Sequence, residues 1–276
     1  MVGLSRGEIM NKRYLGAVLL SPLIIVLFAG GVYLKYVVMF LSLMGMYEFF
    51  KIVQSKGIRP ISGICYLVCI IYYVFFIGKD PTNYKNVFSI LVIAMIIMLC
   101  IPIISEEYSF IDVAITIFGF LYIAVLLSFI VQVNKKHFGN YLVWLIFISS
   151  WLCDTSAYYV GKYFGKNKLC PRISPKKTIE GSIGGLLGST ISCGLYGAFI
   201  ISKGVNIPLY NFYLIGIICG VLGQFGDLVA SSIKRHTGVK DFGDVIPGHG
   251  GILDRFDSIL FASAVVYYYI IIILGM

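Results

Sequence analysis

The stretch Ser231–Ser258, SSIKRHTGVKDFGDVIPGHGGILDRFDS, concentrates groups that could do chemistry in a chain otherwise poor in them. Lys234, Arg235, Lys240 and Arg255 supply cations, and Asp241, Asp244, Asp254 and Asp257 supply carboxylates. Pro247, Gly248, Gly250 and Gly251 between them allow tight turns and close approach of backbone to a ligand. Acids beside Lys and Arg at a glycine-rich turn suit a divalent cation bound to phosphates: carboxylates hold the metal, and the cations neutralise phosphate oxygens. Further acids sit within apolar surroundings: Asp154 in WLCDTSAYYVG, Glu180 in TIEGSIGG and Asp227 in GQFGDLVASS. An acid at the centre of a membrane helix costs about 2.5–3.5 kcal/mol on insertion scales, which makes each a functional candidate.

Helical spacing sorts these residues. Asp227, Ser231 and Lys234 at i, i+4 and i+7 line one face, as do Asp154, Tyr158 and Gly161. Lys177 and Glu180, at i and i+3, are expected to share a face at the start of a helix. Gly181, Gly184, Gly185 and Gly188 then make a small-residue face, which suits close helix packing at least as well as ligand contact.

The elements that must position these groups are membrane helices. Of 276 residues, 59% are hydrophobic and 13% charged, with mean hydropathy +0.91. A soluble domain is about half apolar and about a quarter charged. The apolar residues form runs long enough to cross a bilayer. The reading is all-α: a polytopic transmembrane helix bundle of about nine spans, near 14–29, 31–53, 60–78, 87–104, 110–133, 140–161, 178–201, 208–231 and 256–275. Sixteen of the 22 Lys and Arg fall on the side of the N-terminus and of loops 162–177 and 232–255. The positive-inside rule therefore puts the N-terminus and both loops in the cytoplasm. Residues 1–139 read as plain membrane helices, about five spans. Residues 140–276 read as the catalytic region, about four spans with motif loops.

The net charge of +9 reflects these basic membrane loops rather than nucleic-acid binding. The seven cysteines lie mostly in apolar runs, and their odd number argues against a disulfide framework. Cys65 and Cys69 share a helix face, a packing feature without a Cys/His cluster around it. No Walker A and no GxGxxG pattern occurs.

The opening stretch resembles the signature of the phosphatidate cytidylyltransferases, the CDP-diacylglycerol synthases. Ser231, Lys234, Arg235, Lys240, Asp241, Gly243, Pro247, His249, Gly250, Gly251, Asp254, Arg255 and Asp257 occupy its fixed positions. The segments DTSAYYVGKYFGKNKL from Asp154 and SPKKTIEGSIGG from Ser174 are similar to the family as well. The resemblance implies an Mg²⁺-dependent enzyme that makes CDP-diacylglycerol and pyrophosphate from phosphatidate and CTP. It implies Asp227 and Asp254 as metal ligands, with Lys234, Arg235 and Arg255 at the reacting phosphates. Lys176, Lys177, Ser231, Lys240, His249, Gly250, Gly251, Asp154 and Glu180 are then expected to contact substrate. His249 fits ligand contact or loop structure better than proton abstraction, because a phosphomonoester with second pKa of about 6 is already mostly ionised at neutral pH. His137 and His236 read as interfacial residues. Partners follow as CTP, phosphatidate and the bilayer, in a bacterial inner membrane with the site facing the cytoplasm; a homodimer is compatible with this.

Two other classes remain open at this point. A CTP-dependent lipid-alcohol kinase would move the γ-phosphoryl group instead. A nucleotide or lipid transporter would use the buried acids along its path, although the acids gather at one face and no inverted repeat occurs. The DGxxAR pattern of the CDP-alcohol phosphatidyltransferases is absent.

Overall fold

The computed structural model describes residues 25–77, 84–245 and 250–276. The expected first span, 14–29, lies outside them except for a helical segment at 25–29. Within Met1–Val131 and Thr237–Arg255 the described residues form one compact unit; Gln132–His236 and Phe256–Met276 form a second.

The first unit contains α1 (Gly31–Gln54), α2 (Ser62–Ile71, prolonged by a π turn to Phe76), α3 (Tyr84–Ile104), α4 (Phe110–Gly119) and most of α5 (Leu126–Asn134). A π segment, Phe120–Val125, joins α4 to α5. Apolar burial holds these helices together, and a few polar pairs set their register. Tyr73 is fully buried; its hydroxyl meets Ser42 Oγ at 2.8 Å and donates to the Ala124 carbonyl at 2.9 Å. Gly119 makes room for Phe49 and Phe50, whose ring carbons would lie 2.9 and 2.7 Å from an added Cβ. Ser109 caps α4 through a reciprocal box with Asp112, which also accepts the Arg59 N–H at 2.5 Å.

The second unit holds α6 (Gly139–Phe164), a short hairpin of β1 (Lys168–Cys170) and β2 (Ser174–Thr178), α7 (Ile179–Ile201) and nearly all of α8 (Leu209–Thr237). The last helix, α9 (Leu253–Tyr268), begins in the first unit and continues in the second, ending in a π turn over Tyr269–Ile273. The antiparallel hairpin replaces the plain loop expected at 162–177. Its strands are too short, and β2 too rich in Pro and Lys, to show an alternating apolar pattern.

Helices α6 and α7 pack backbone to backbone because glycine removes the side chains between them. A Cβ on Gly184 would come within 2.5 Å of Val160 Cβ, on Gly185 within 3.0 Å of the Cys153 carbonyl, and on Gly188 within 2.5 Å of Ser156 Cβ. The glycine face is thus a helix-packing face. The other side of α7 exposes Ile183, Leu187, Ile191 and Leu195, each 55–66% accessible, in a row four residues apart. Such a row would be unfavourable in water and is at home in lipid. Among the described residues five helices are long and apolar enough to cross a bilayer: Gly31–Gln54, Phe110–Asn134, Ile179–Ile201, Leu209–Thr237 and Leu253–Ile273. The protein is an integral membrane protein whose described residues are mostly helical, with almost no strand.

Candidate active site

Helix α6 is polar on one side near its C-terminal end, and that side faces the hairpin and α8. A cavity of about 330 Å³ opens there, walled by Asp154, Tyr158 and Gly161 from α6, Lys176 and Lys177 from β2, Ser182 from α7, and Gln224 and Asp227 from α8. The three α6 residues are the row that helical spacing predicts. The α8 row is equally intact: Ser231 Oγ donates to Asp227 Oδ1 at 3.3 Å.

Lys177 belongs to β2, and Thr178 caps α7 by accepting the Gly181 N–H at 3.1 Å. The expectation that Lys177 and Glu180 share a helix face is therefore corrected. An extended backbone turns Lys177 toward α8, where its Nζ pairs with Asp227 Oδ2 at 2.5 Å; both side chains are 26% accessible. Glu180 turns the other way. It accepts the backbone N–H of Lys166 at 3.1 Å and of Asn167 at 3.2 Å, and the Asn167 side-chain amide at 2.9 Å. Its place in the second unit is to tie the approach to β1 onto the start of α7.

Asp227 lies within electrostatic reach of two more carboxylates, Asp154 and Asp257. Lys177 also acts on Asp154, and Lys234 on Asp257. Asp257 sits at the start of the membrane part of α9, tight against α8, where a Cβ on Gly226 would fall 2.7 Å from the Asp257 carbonyl. Ser258, next along α9, has its N–H bonded to Asp257 Oδ1 at 2.8 Å, and its hydroxyl donates to Asp154 Oδ2 at 3.2 Å. Three helices and β2 thus bring three acids and two lysines together. Asp257 occupies a signature position, yet spacing alone does not pair it with Asp154. Arg235 Nε donates to the Ile173 carbonyl of the hairpin at 3.2 Å, which leaves its terminal nitrogens for other partners. Lys176 is exposed at the cavity wall.

The remaining signature residues belong to the first unit. Asp254 Oδ2 accepts the Phe242 N–H at 2.8 Å and the Gly251 N–H at 3.0 Å, closing the two ends of the loop that carries the glycines. Gly250 takes φ +79, a left-handed conformation that favours glycine. Lys240 and Arg255 are exposed. His249, Pro247 and Gly248 lie outside the described residues.

Sequence reading passes over Glu48 altogether. It is an acid in α1, only 1% accessible, that accepts the Ile252 N–H at 2.8 Å and the Leu253 N–H at 2.9 Å. The only sequence hint is a carboxylate near the end of an otherwise apolar run.

A cavity walled by both carboxylates and lysines, on helices with apolar outer faces, suits a membrane protein that handles anionic groups with or without a bound cation. The comparisons with known proteins narrow the class. The sequence profile of the cytidylyltransferase family matches residues 11–273, and the chain belongs to that family. Proteins named phosphatidate cytidylyltransferase are similar to it: one from Staphylococcus saprophyticus is 35% identical over 264 residues, covering 91% of this chain and 95% of its own. One from Bacillus subtilis is 32% identical over 231 residues, covering 82% and 85%.

Proposed function

We propose that this chain transfers CMP from CTP to phosphatidate, forming CDP-diacylglycerol and releasing pyrophosphate. The observation that carries the reading is the cavity walled by Asp154, Asp227, Lys176 and Lys177, with Asp257 in electrostatic reach of its acids and Lys234 in reach of Asp257. In this reaction a phosphatidate oxygen attacks the α-phosphorus of CTP in line, and the bond to the β,γ-diphosphate breaks. The nucleophile is already an anion, so the protein's task is positioning and charge neutralisation rather than proton removal. Lys176 and Lys177 hold phosphate oxygens. Lys234 and Arg235, two turns beyond Asp227 on α8, act at the reacting phosphates. Ser231 keeps Asp227 oriented. The lipid phosphate reaches the site from the membrane surface, while CTP arrives from water.

The donor set fits Mg²⁺ in kind. Its groups are carboxylate oxygens, as a hard divalent cation requires, and three acids against two lysines leave negative charge for a cation to meet. Among the described residues no three acid, His or Cys side chains already close to ligand distance. Asp227 with Asp257 and Asp154 would hold the ion. Asp254, the second ligand that the family signature implies, lies one turn before Asp257 on α9. When bound, Mg²⁺ would supply charge stabilisation for the phosphoryl oxygens. The same reading has nine spans, a cytoplasmic N-terminus, and the site on the cytoplasmic face of a bacterial inner membrane. It is supported by the placing of the basic residues.

The decisive test incubates purified protein with phosphatidate, Mg²⁺ and CTP labelled separately at the α and γ phosphates. Label from the α position is expected in the lipid. Label from the γ position would instead make the chain a lipid kinase, and no transfer with either label would remove the enzyme reading.

A further inference from the structure

Helix α9 starts where the signature loop ends, and its first amides need acceptors. Three consecutive N–H groups are satisfied by two carboxylates: Gly251 by Asp254 Oδ2, and Ile252 and Leu253 by the two oxygens of Glu48. Asp254 is local, three residues on. Glu48 comes from α1, more than two hundred residues earlier, and is all but fully buried. A buried carboxylate that receives two N–H groups at the positive end of a helix dipole is stabilised there and is costly to leave unpaired.

The surroundings are shaped to the same carboxylate. A Cβ on Gly251 would lie 2.5 Å from Glu48 Oε2, and one on Gly243 would lie 3.0 Å from Oε1. Gly251 is not in the left-handed region, so its need for glycine is steric. Gly45, less than one turn before Glu48, makes room for Ile123, whose Cγ2 would lie 3.1 Å from an added Cβ. Glu48, Gly243 and Gly251 thus form one fitted joint, and Asp254 and Arg255 follow Gly251 by three and four residues.

We propose that Glu48 is a positioning residue for the reaction: it clamps the N-terminus of α9 and so fixes where Asp254 and Arg255 stand. Residues 1–139 are then more than membrane anchor, because α1 supplies the clamp. This inference rests on the cytidylyltransferase reading only for its kinetic consequence; the clamp itself can be tested without turnover.

The experiment uses the full chain in detergent micelles, comparing wild type with Glu48→Ala, Glu48→Gln, Gly251→Ala and the Glu48→Ala/Gly251→Ala double variant. Hydrogen–deuterium exchange reads the clamp directly. Amides of peptides spanning 250–256 should exchange about tenfold faster or more in Glu48→Ala, with the rest of the chain little changed. Glu48→Gln keeps one acceptor oxygen and should fall between, and it decides the matter if Glu48→Ala does not accumulate. In mixed micelles kcat/KM should drop about 10–100-fold, as for a displaced reacting group. The KM for CTP should rise about threefold or more, whereas simple loss of folded enzyme would lower kcat and leave KM unchanged. Gly251→Ala should be harmful alone and add much less in the Glu48→Ala background, because the carboxylate it strikes is gone. Unchanged exchange at 250–256, or fully additive losses, would overturn the clamp. Faster exchange with wild-type kinetics would overturn the positioning role. Faster exchange in a protein whose wild type makes no CDP-lipid would refute the proposed reaction and leave the clamp standing.

Discussion

Lys177 is where the cavity can be tested most sharply, by replacement with Met. Its Nζ is 2.5 Å from Asp227 Oδ2, and both side chains are 26% accessible. Two unit charges about 4 Å apart at an effective dielectric of about 20 attract by about 4 kcal/mol. Partial exposure discounts that toward the range of about 0–1 kcal/mol seen at surfaces. About 2 kcal/mol is a reasonable middle for the resting pair. In the reaction a second effect is added, since removing one preorganised donor from developing phosphate charge costs about 2.7–4 kcal/mol. The loss also leaves Asp227 facing Asp154 and Asp257 with one neutralising lysine fewer. The resting pair bears on stability, so the transition-state donor sets the fall in kcat/KM, about 100–1000-fold, or about 2.7–4 kcal/mol. Lys168→Met is the control: the same charge change on the same hairpin, at an exposed position outside the cavity wall. It should cost less than about threefold, and less still at higher salt. The assay is steady-state CDP-lipid formation in mixed micelles, with CTP and phosphatidate varied in turn. Equal losses from both substitutions would mean that diffuse surface charge, and not a built cavity, explains the basic hairpin.

Asp227→Asn and Asp257→Asn should each remove most activity while the purified protein keeps its helical circular dichroism. The double variant should lose little more than either single one, as groups acting as a unit do; near-additive losses would separate their roles. Gly184→Ala forces a methyl carbon to within 2.5 Å of Val160 Cβ and should cost about 1–3 kcal/mol. Thermal unfolding in detergent should show this as a Tm lowered by about 2–4 °C per kcal/mol, whereas Gly63→Ala, with nothing within 4 Å, should not lower it. Single cysteines at 166 and 240 in a cysteine-free background should label from the same, cytoplasmic side and one at the C-terminus from the other; labelling of 166 and 240 from opposite sides would refute the nine-span arrangement.

The sequence by itself was enough for the features that depend on neighbours along the chain. Apolar runs mark membrane helices because a helix crossing lipid must be apolar over about 20 consecutive residues. The alignment of Asp227 with Ser231 and of Asp154 with Tyr158 follows from 3.6 residues per turn, and the structure keeps both rows. Tertiary structure decided what depends on partners far away in the chain. Spacing alone could not show that Lys177 leaves a strand to meet Asp227, because a five-residue strand carrying Pro175 has no periodic signal. Nor could it bring Asp257 to Asp154 and Asp227, since which face of α9 meets α8 is set by the gap that Gly226 leaves. Glu48 was least legible of all. A single acid near the end of an apolar run looks like an interfacial residue until the fold sets the N–H groups of Ile252 and Leu253 against it. The hydrogen-bond needs of a helix end are local, but the residue that meets them can come from anywhere the packing allows.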